Sequence, residues 1–180
     1  LATDVAPVAR PDDDALREAQ KSLELAPDNR DALWLTAQCY FAKGEYEKSR
    51  DCATRGIKLY PRTIDMYTAL ADIELRSGNR AAAIAALQQG LKATERNPQL
   101  LWSMANLLMD VNKLKEAEPI IEELRATEYP KQFVEYLNAR REFIQGHWLA
   151  ARQGFEKVRG LLTTWPGLLK QVDVWIGQCY

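Results

Sequence analysis

Apolar residues recur along most of the chain at spacings of three and four, which is the pattern of helices that bury one face. Residues 30–43 follow this spacing without a helix breaker until Gly44, and a second helical pattern runs over 45–60 before Pro61. Glycine just past one helix and proline after the next are typical stop signals. Alternation of β-branched and polar residues, the mark of strands, does not occur. The pattern therefore predicts an all-α chain built from helix hairpins.

The hairpin recurs every 34 residues. Three positions of the hairpin keep the same kind of residue from one repeat to the next, and each such set of equivalent residues is called a column here. The columns hold a small residue in the first helix, a turn residue seven places later and another small residue five places after that. In chain order the columns are Ala37, Ala71, Ala105, Ala139; Gly44, Gly78, Asn112, Gly146; and Ser49, Ala83, Ala117, Ala151. Helices that cross at about 9 Å need small side chains at the crossing, and glycine or asparagine tolerates a left-handed turn.

The same register predicts the organisation of the chain. Full repeats cover 30–63, 64–97, 98–131 and 132–169; 12–29 match the second helix of an earlier repeat; 170–180 match the first helix of a truncated one; and 1–11 form an extended N-terminal segment. A lengthening of four residues near 160–167 precedes the last helix. Because the repeats are cut at both ends, we expect a single domain that is part of a longer protein.

These positions resemble the tetratricopeptide repeat (TPR) family. In 30–63 the family's small crossing residue falls on Ala37, its glycine and following aromatic on Gly44 and Tyr46, and its closing proline on Pro61. The resemblance covers roughly residues 12–180 and implies a right-handed α-solenoid of antiparallel helix hairpins. It also implies a non-catalytic scaffold that binds a peptide or partner protein in a concave groove. Glu74, Glu135, Asn138 and Glu142 depart from the family pattern, because they stand where packing residues are usual.

The outward positions of the first helices form the candidate partner-binding surface. They are Trp34, Gln38, Phe41, Thr68, Asp72, Trp102, Asn106, Met109, Tyr136 and Arg140. Trp34, Trp102 and Tyr136 are expected as apolar anchors, because aromatic rings offer large contact area at a small entropic cost. The polar residues between them are expected to orient a peptide. Packing between helices is an open alternative for Trp34 and Trp102, and it is the favoured interpretation for Phe41.

Composition narrows the chemistry. With 24 Lys and Arg against 25 Asp and Glu, the net charge of −1 argues against nucleic acid as a partner. Apolar stretches such as 81–87 are too short for membrane insertion. One histidine and three cysteines without a CxxC pair indicate neither a metal site nor a cofactor. No phosphate-binding loop or nucleophile elbow occurs, so we expect no enzyme. Unpaired cysteines favour a reducing compartment such as the cytoplasm.

Three other hypotheses stay open at the level of sequence. The segment could be the recognition or regulatory arm of a larger enzyme on the same polypeptide, since the repeats are cut at both ends. A related 35-residue helical repeat binds RNA, but that role needs a basic groove, and Asp72 opposes it. Self-association through uncovered repeat ends is the third hypothesis.

Overall fold

The computed structural model describes residues 13–180, and these residues form ten α-helices and no strand. The all-α prediction is confirmed. The predicted extended segment 1–11 and residue 12 lie outside the described residues. Those that are described divide between two compact units, 13–103 and 104–180, named here the N-terminal unit and the C-terminal unit.

The N-terminal unit packs each helix from α1 to α4 against the next one along the chain, and α2 also contacts α4. Its helices are α1 (Asp13–Leu25), α2 (Arg30–Ala42), α3 (Tyr46–Leu59), α4 (Ile64–Arg76), α5 (Arg80–Ala93) and the first part of α6 (Pro98–Asp110). The side chain of Asn29 caps α2 by accepting a hydrogen bond from the Ala32 amide at 2.8 Å. Such a cap satisfies an amide that the helix itself leaves unpaired.

The C-terminal unit continues from α6 with α7 (Leu114–Arg125), α8 (Lys131–Ile144), α9 (Trp148–Arg159) and α10 (Pro166–Gln178). In this unit α8 packs against both α7 and α9, and α9 packs against α10. The last helix begins at Pro166, earlier than position 170 where the repeat register places its start. Proline fits the first turn of a helix because its missing N–H would find no intrahelical partner there.

The turn column adopts the left-handed conformation that its composition predicts. The φ angles are 78° at Gly44, 82° at Gly78, 60° at Asn112 and 80° at Gly146. Glycine has no Cβ to clash in this region, and asparagine is among the side chains that tolerate it best. These four residues therefore reverse the chain between the two helices of each hairpin.

Small residues lie where helices cross, and every member of the two small-residue columns is buried. The Ser49 hydroxyl donates a 2.7 Å hydrogen bond to the carbonyl oxygen of Ala37 on the facing helix. Some crossings are tighter still: a Cβ added to Gly154 would lie 2.8 Å from the Cβ of Ala139. Close packing of this kind leaves no room for an added methyl group at the crossing.

Glu74 stands at one of the packing positions where the sequence departs from the family pattern. It is buried in α4, and its carboxylate accepts hydrogen bonds from Arg50 Nε on α3 at 2.5 Å and from the Asn79 amide at 2.9 Å. Burial alone would raise the pKa of Glu74, but these hydrogen bonds and the Arg50 charge outweigh it and lower the pKa. A guanidinium on the neighbouring helix thus compensates for a carboxylate in the core.

Candidate partner-binding surface

The exposed part of the predicted surface in the N-terminal unit centres on α2. Trp34 is 39% exposed and the adjacent Leu35 is 38% exposed. Gln38 and Phe41 follow at four and seven residues from Trp34, which places all three on one face of the helix. Gln38, Phe41, Thr68 and Trp102 are half-buried. The apolar surface that a partner meets in this unit is therefore provided mainly by Trp34.

A small pocket brings together Gln38 and Phe41 from α2 with Asp72 from α4. Its volume is about 20 Å³, which is room for one group the size of a water molecule. Ala37, Ser49, Ala69 and Ile73 complete the lining. These four residues were not predicted as part of a site, although the small-residue columns that contain Ala37 and Ser49 mark the crossing where the pocket opens.

The Asp72 carboxylate is half-buried and lacks a close partner. Among residues 13–180 no group donates a hydrogen bond to it or forms an ion pair with it, and Gln38 likewise makes no side-chain hydrogen bond. Burial raises the pKa of Asp72 to about 6, and the Arg76 charge one turn along α4 opposes the shift only in part. The pocket thus contains a poorly solvated acid and an amide with free hydrogen-bonding capacity.

In the C-terminal unit the equivalent polar positions are occupied by contacts within the chain. Arg140 is 5% exposed; its Nη1 donates to Asn106 Oδ1 at 2.7 Å and its Nη2 to Asp110 Oδ1 at 2.5 Å. The guanidinium carbon also lies 5.8 Å from the ring centroids of Tyr136 and Trp175. Charge-assisted hydrogen bonds and two aromatic faces compensate for its burial.

Tyr136 and Met109 are buried, which corrects the expectation that they face a partner. Tyr136 is 0% exposed, and its hydroxyl donates to Gln171 Oε1 of α10 at 2.7 Å. Met109 is 4% exposed. Gln171 of α10 contacts Tyr136, and both Tyr136 and Met109 are too deeply buried to offer surface to another protein.

Three residues that organise the buried cluster of the C-terminal unit were missed from the sequence: Asp110, Gln171 and Trp175. Asp110 lies four residues after Asn106, hence on the same helix face, and this spacing was the available signal. The other two follow the lengthening near 160–167, which shifts α10 out of the 34-residue count.

No group of three or more His, Cys, Asp or Glu residues within 13–180 is placed to hold a metal ion. Burial raises the pKa of the Cys52 and Cys179 thiols, which keeps them protonated and weakly nucleophilic. His147 is exposed and pairs with Glu142 at 2.8 Å. Over the same range, no helix has both the length and the apolar character that spanning a bilayer requires.

Family models of the tetratricopeptide repeat match residues 13–73 and 68–133. The chain belongs to the tetratricopeptide repeat family. This confirms the resemblance seen in the sequence, and with it the all-α TPR fold class. Repeats of this family generally serve as scaffolds for protein interaction, and that general role is supported for this TPR chain.

Solved structures similar to this TPR chain include a thermophilic TPR protein of Thermus thermophilus, with a TM-score of 0.69 and 16% identity over 91% of this chain and 88% of that one. MamA has a TM-score of 0.62 and 16% identity, over 79% and 84% of the two chains. A chain of the APC/C hetero-tetramer Cut9–Hcn1 has a TM-score of 0.75 and 12% identity, over 93% of this chain and 33% of its own. At such identities the likeness shows the fold. No curated protein matches the chain significantly in sequence.

Proposed function

We propose that the protein is a non-catalytic scaffold that binds an extended segment of a partner protein on α2 and α4 of its N-terminal unit. The observation that carries the proposal is the exposed ring of Trp34, one helical turn before Gln38. Gln38 lines a pocket with Asp72, and neither side chain has a hydrogen-bonding partner among residues 13–180. Aromatic anchors surrounded by oriented polar groups are the usual composition of a protein-binding surface.

A protein partner agrees with the family and with the charge of this surface. One of the similar chains comes from a structure described as the APC/C hetero-tetramer Cut9–Hcn1. A nucleic acid would bring phosphates toward Asp72, and the net charge of −1 offers no compensating basic surface. The corresponding positions of the C-terminal unit are saturated by Asn106, Asp110 and Arg140, so they offer a partner fewer free groups.

Selection of random displayed peptides on the immobilised chain tests this proposal. The wild type should enrich a set of peptides, and Trp34→Ala should bind them at least about tenfold more weakly, as expected when an aromatic anchor is lost. Trp148→Ala is the matched control, since Trp148 is 50% exposed but lies in the C-terminal unit. Circular dichroism verifies equal helicity of the three proteins. Absence of any enriched peptide, or equal affinity for Trp34→Ala, would overturn the proposal.

A further inference from the structure

We propose that the pocket between α2 and α4 receives the ammonium group of a lysine side chain of the bound partner, with Asp72 as its charge partner and Gln38 as a second acceptor. This inference rests on the proposed function and deepens it, because it states what the partner must carry.

The pocket contains the Asp72 carboxylate and no cation among its lining residues. Asp72 is half-buried without a hydrogen bond or ion pair from any residue in 13–180, so it has lost part of its hydration without compensation. Arg76 on the same helix is the one cation that influences its pKa. The groups that line the pocket from α2 and α3 are Ala37, Gln38, Phe41 and Ser49, and all of them are uncharged. A cation from outside would supply the missing counter-charge.

Hydrogen bonding favours an ammonium group at this position. The Ser49 hydroxyl already donates to the Ala37 carbonyl, which leaves the Asp72 carboxylate and the Gln38 amide oxygen as free acceptors. An ammonium group carries three donors and no acceptor, so it can satisfy both while its third donor reaches water. Hydrogen bonds between an ammonium and a carboxylate are about twice as strong as those between neutral groups.

The size of the pocket separates lysine from arginine. A volume of about 20 Å³ suits a single compact group. The ammonium is compact and comparable to a water molecule, whereas the guanidinium is a planar fork with three nitrogens. The compact ammonium therefore suits the enclosed part of the pocket better than the guanidinium does.

The lining suits the aliphatic stem of the same side chain. Phe41, Ala69 and Ile73 present apolar atoms around the polar pair. The Phe41 ring is itself supported by Tyr46, with ring centroids 5.8 Å apart. Lysine side chains commonly bury their methylene groups along apolar surface while the charged end makes polar contacts.

A double-mutant cycle with the peptides selected above tests the inference. Each enriched peptide is compared with versions in which its lysine is acetylated or replaced by arginine, on wild type, Asp72→Asn and Asp65→Asn. Asp65 is the matched control, because it is an exposed aspartate on the same helix. Acetylation should weaken binding about tenfold on wild type and Asp65→Asn, and less than about twofold on Asp72→Asn, since the lost contact is already absent there.

Several results would overturn the inference. Enriched peptides without a required lysine would do so while leaving the proposed function intact. Equal losses on acetylation for wild type and Asp72→Asn would mean that lysine binds elsewhere and that water alone occupies the pocket. Arginine peptides as tight as lysine peptides would contradict the size argument. If no peptide is enriched, the proposed function fails and this inference with it. If Asp72→Asn loses helicity, the acetylated and arginine peptides on wild type still decide.

Discussion

The two units treat the same pair of repeat positions differently. In the C-terminal unit Asn106 and Arg140 are hydrogen-bonded to each other at 2.7 Å, and Asp110 completes the pairing of the guanidinium. In the N-terminal unit the equivalent residues are Gln38 and Asp72, which line one pocket without a hydrogen bond between them. At these two positions the C-terminal unit pairs its polar side chains with each other, and the N-terminal unit does not.

The difference comes from a single repeat position, which holds Ala42 in the N-terminal unit and Asp110 in the C-terminal unit. Asp110 corresponds to Ala42, since the two are separated by 68 residues, or two repeat lengths. Ala42 has no charge, so Asp72 has no counterpart of the contact between Asp110 and Arg140. The residue that faces this repeat position from the preceding repeat thus decides whether its charged side chain is paired within the unit.

The largest effect is expected from breaking the satisfied pair. Asp110→Ala removes the carboxylate that pairs with the buried Arg140 guanidinium, and we expect the free energy of unfolding to fall by about 3 kcal/mol. Urea denaturation measures this change. Asp173→Ala, which removes the partner of exposed Arg159 in the same unit, is the control and should change stability little. Equal losses in the two variants would show that the Arg140 pair has no special weight.

Removing the unsatisfied charge should stabilise the protein in a pH-dependent way. The folded-state pKa of Asp72, about 6, is above its unfolded value of 3.8. The folded state therefore holds the proton more tightly, and the stability of the wild type falls as pH rises from about 4 to about 6 relative to a variant without this group. Asp72→Asn should be more stable than wild type by about 1–3 kcal/mol at pH 7, and by nothing below pH 4. Thermal melts at both pH values measure the difference, and a gain that is the same at both would contradict it.

A smaller effect is expected where α10 is tied to α8. Tyr136→Phe removes the hydrogen bond to Gln171 and should lower the free energy of unfolding by about 1 kcal/mol. Tyr46→Phe serves as the control, because the Tyr46 hydroxyl makes no hydrogen bond within 13–180. Chemical denaturation of both variants gives the comparison. An unchanged Tyr136→Phe would mean that the buried hydroxyl contributes nothing to this contact.

The smallest effect is expected from adding a charge near Asp72, so that the N-terminal unit gains an ion pair like the one in the C-terminal unit. Ala42→Lys places a cation at the position that corresponds to Asp110, and we expect it to lower the pKa of Asp72 toward the usual range. Carboxyl carbon chemical shifts followed against pH measure that pKa. The same variant should bind lysine-containing peptides more weakly than Ala42→Met, which has a similar length and no charge. A pKa that stays near 6 would show that position 42 does not face Asp72.

The sequence predicted the fold well because the repeat depends on local steric requirements. A left-handed turn after the first helix admits few residues, so Gly44 and Asn112 identify it wherever they recur at the repeat spacing. The helix crossings likewise admit only small side chains such as Ala37. These constraints act on single positions and are visible without knowledge of neighbouring repeats.

The state of the surface could not be predicted in the same way. Trp34 and Tyr136 occupy the same repeat position, yet one is 39% exposed and the other 0%. Their difference depends on Gln171 and Trp175, which reach Tyr136 from a helix that lies outside the 34-residue count. The exposure of a side chain depends on how the helices pack together. The residues that recur every 34 positions indicate only which side chains the turns and helix crossings need.

The packing order within each unit also bears on how the chain acquires its structure. From α1 to α5, and again from α7 to α10, each helix contacts the next helix along the chain. The helices α2 and α4, which are separated by α3 in the sequence, are also in contact. Short separation between contacting residues gives a low contact order, which favours rapid folding because little loop entropy is lost before contacts form. Folding can therefore begin among neighbouring hairpins of a unit and spread from them to the next hairpin along the chain.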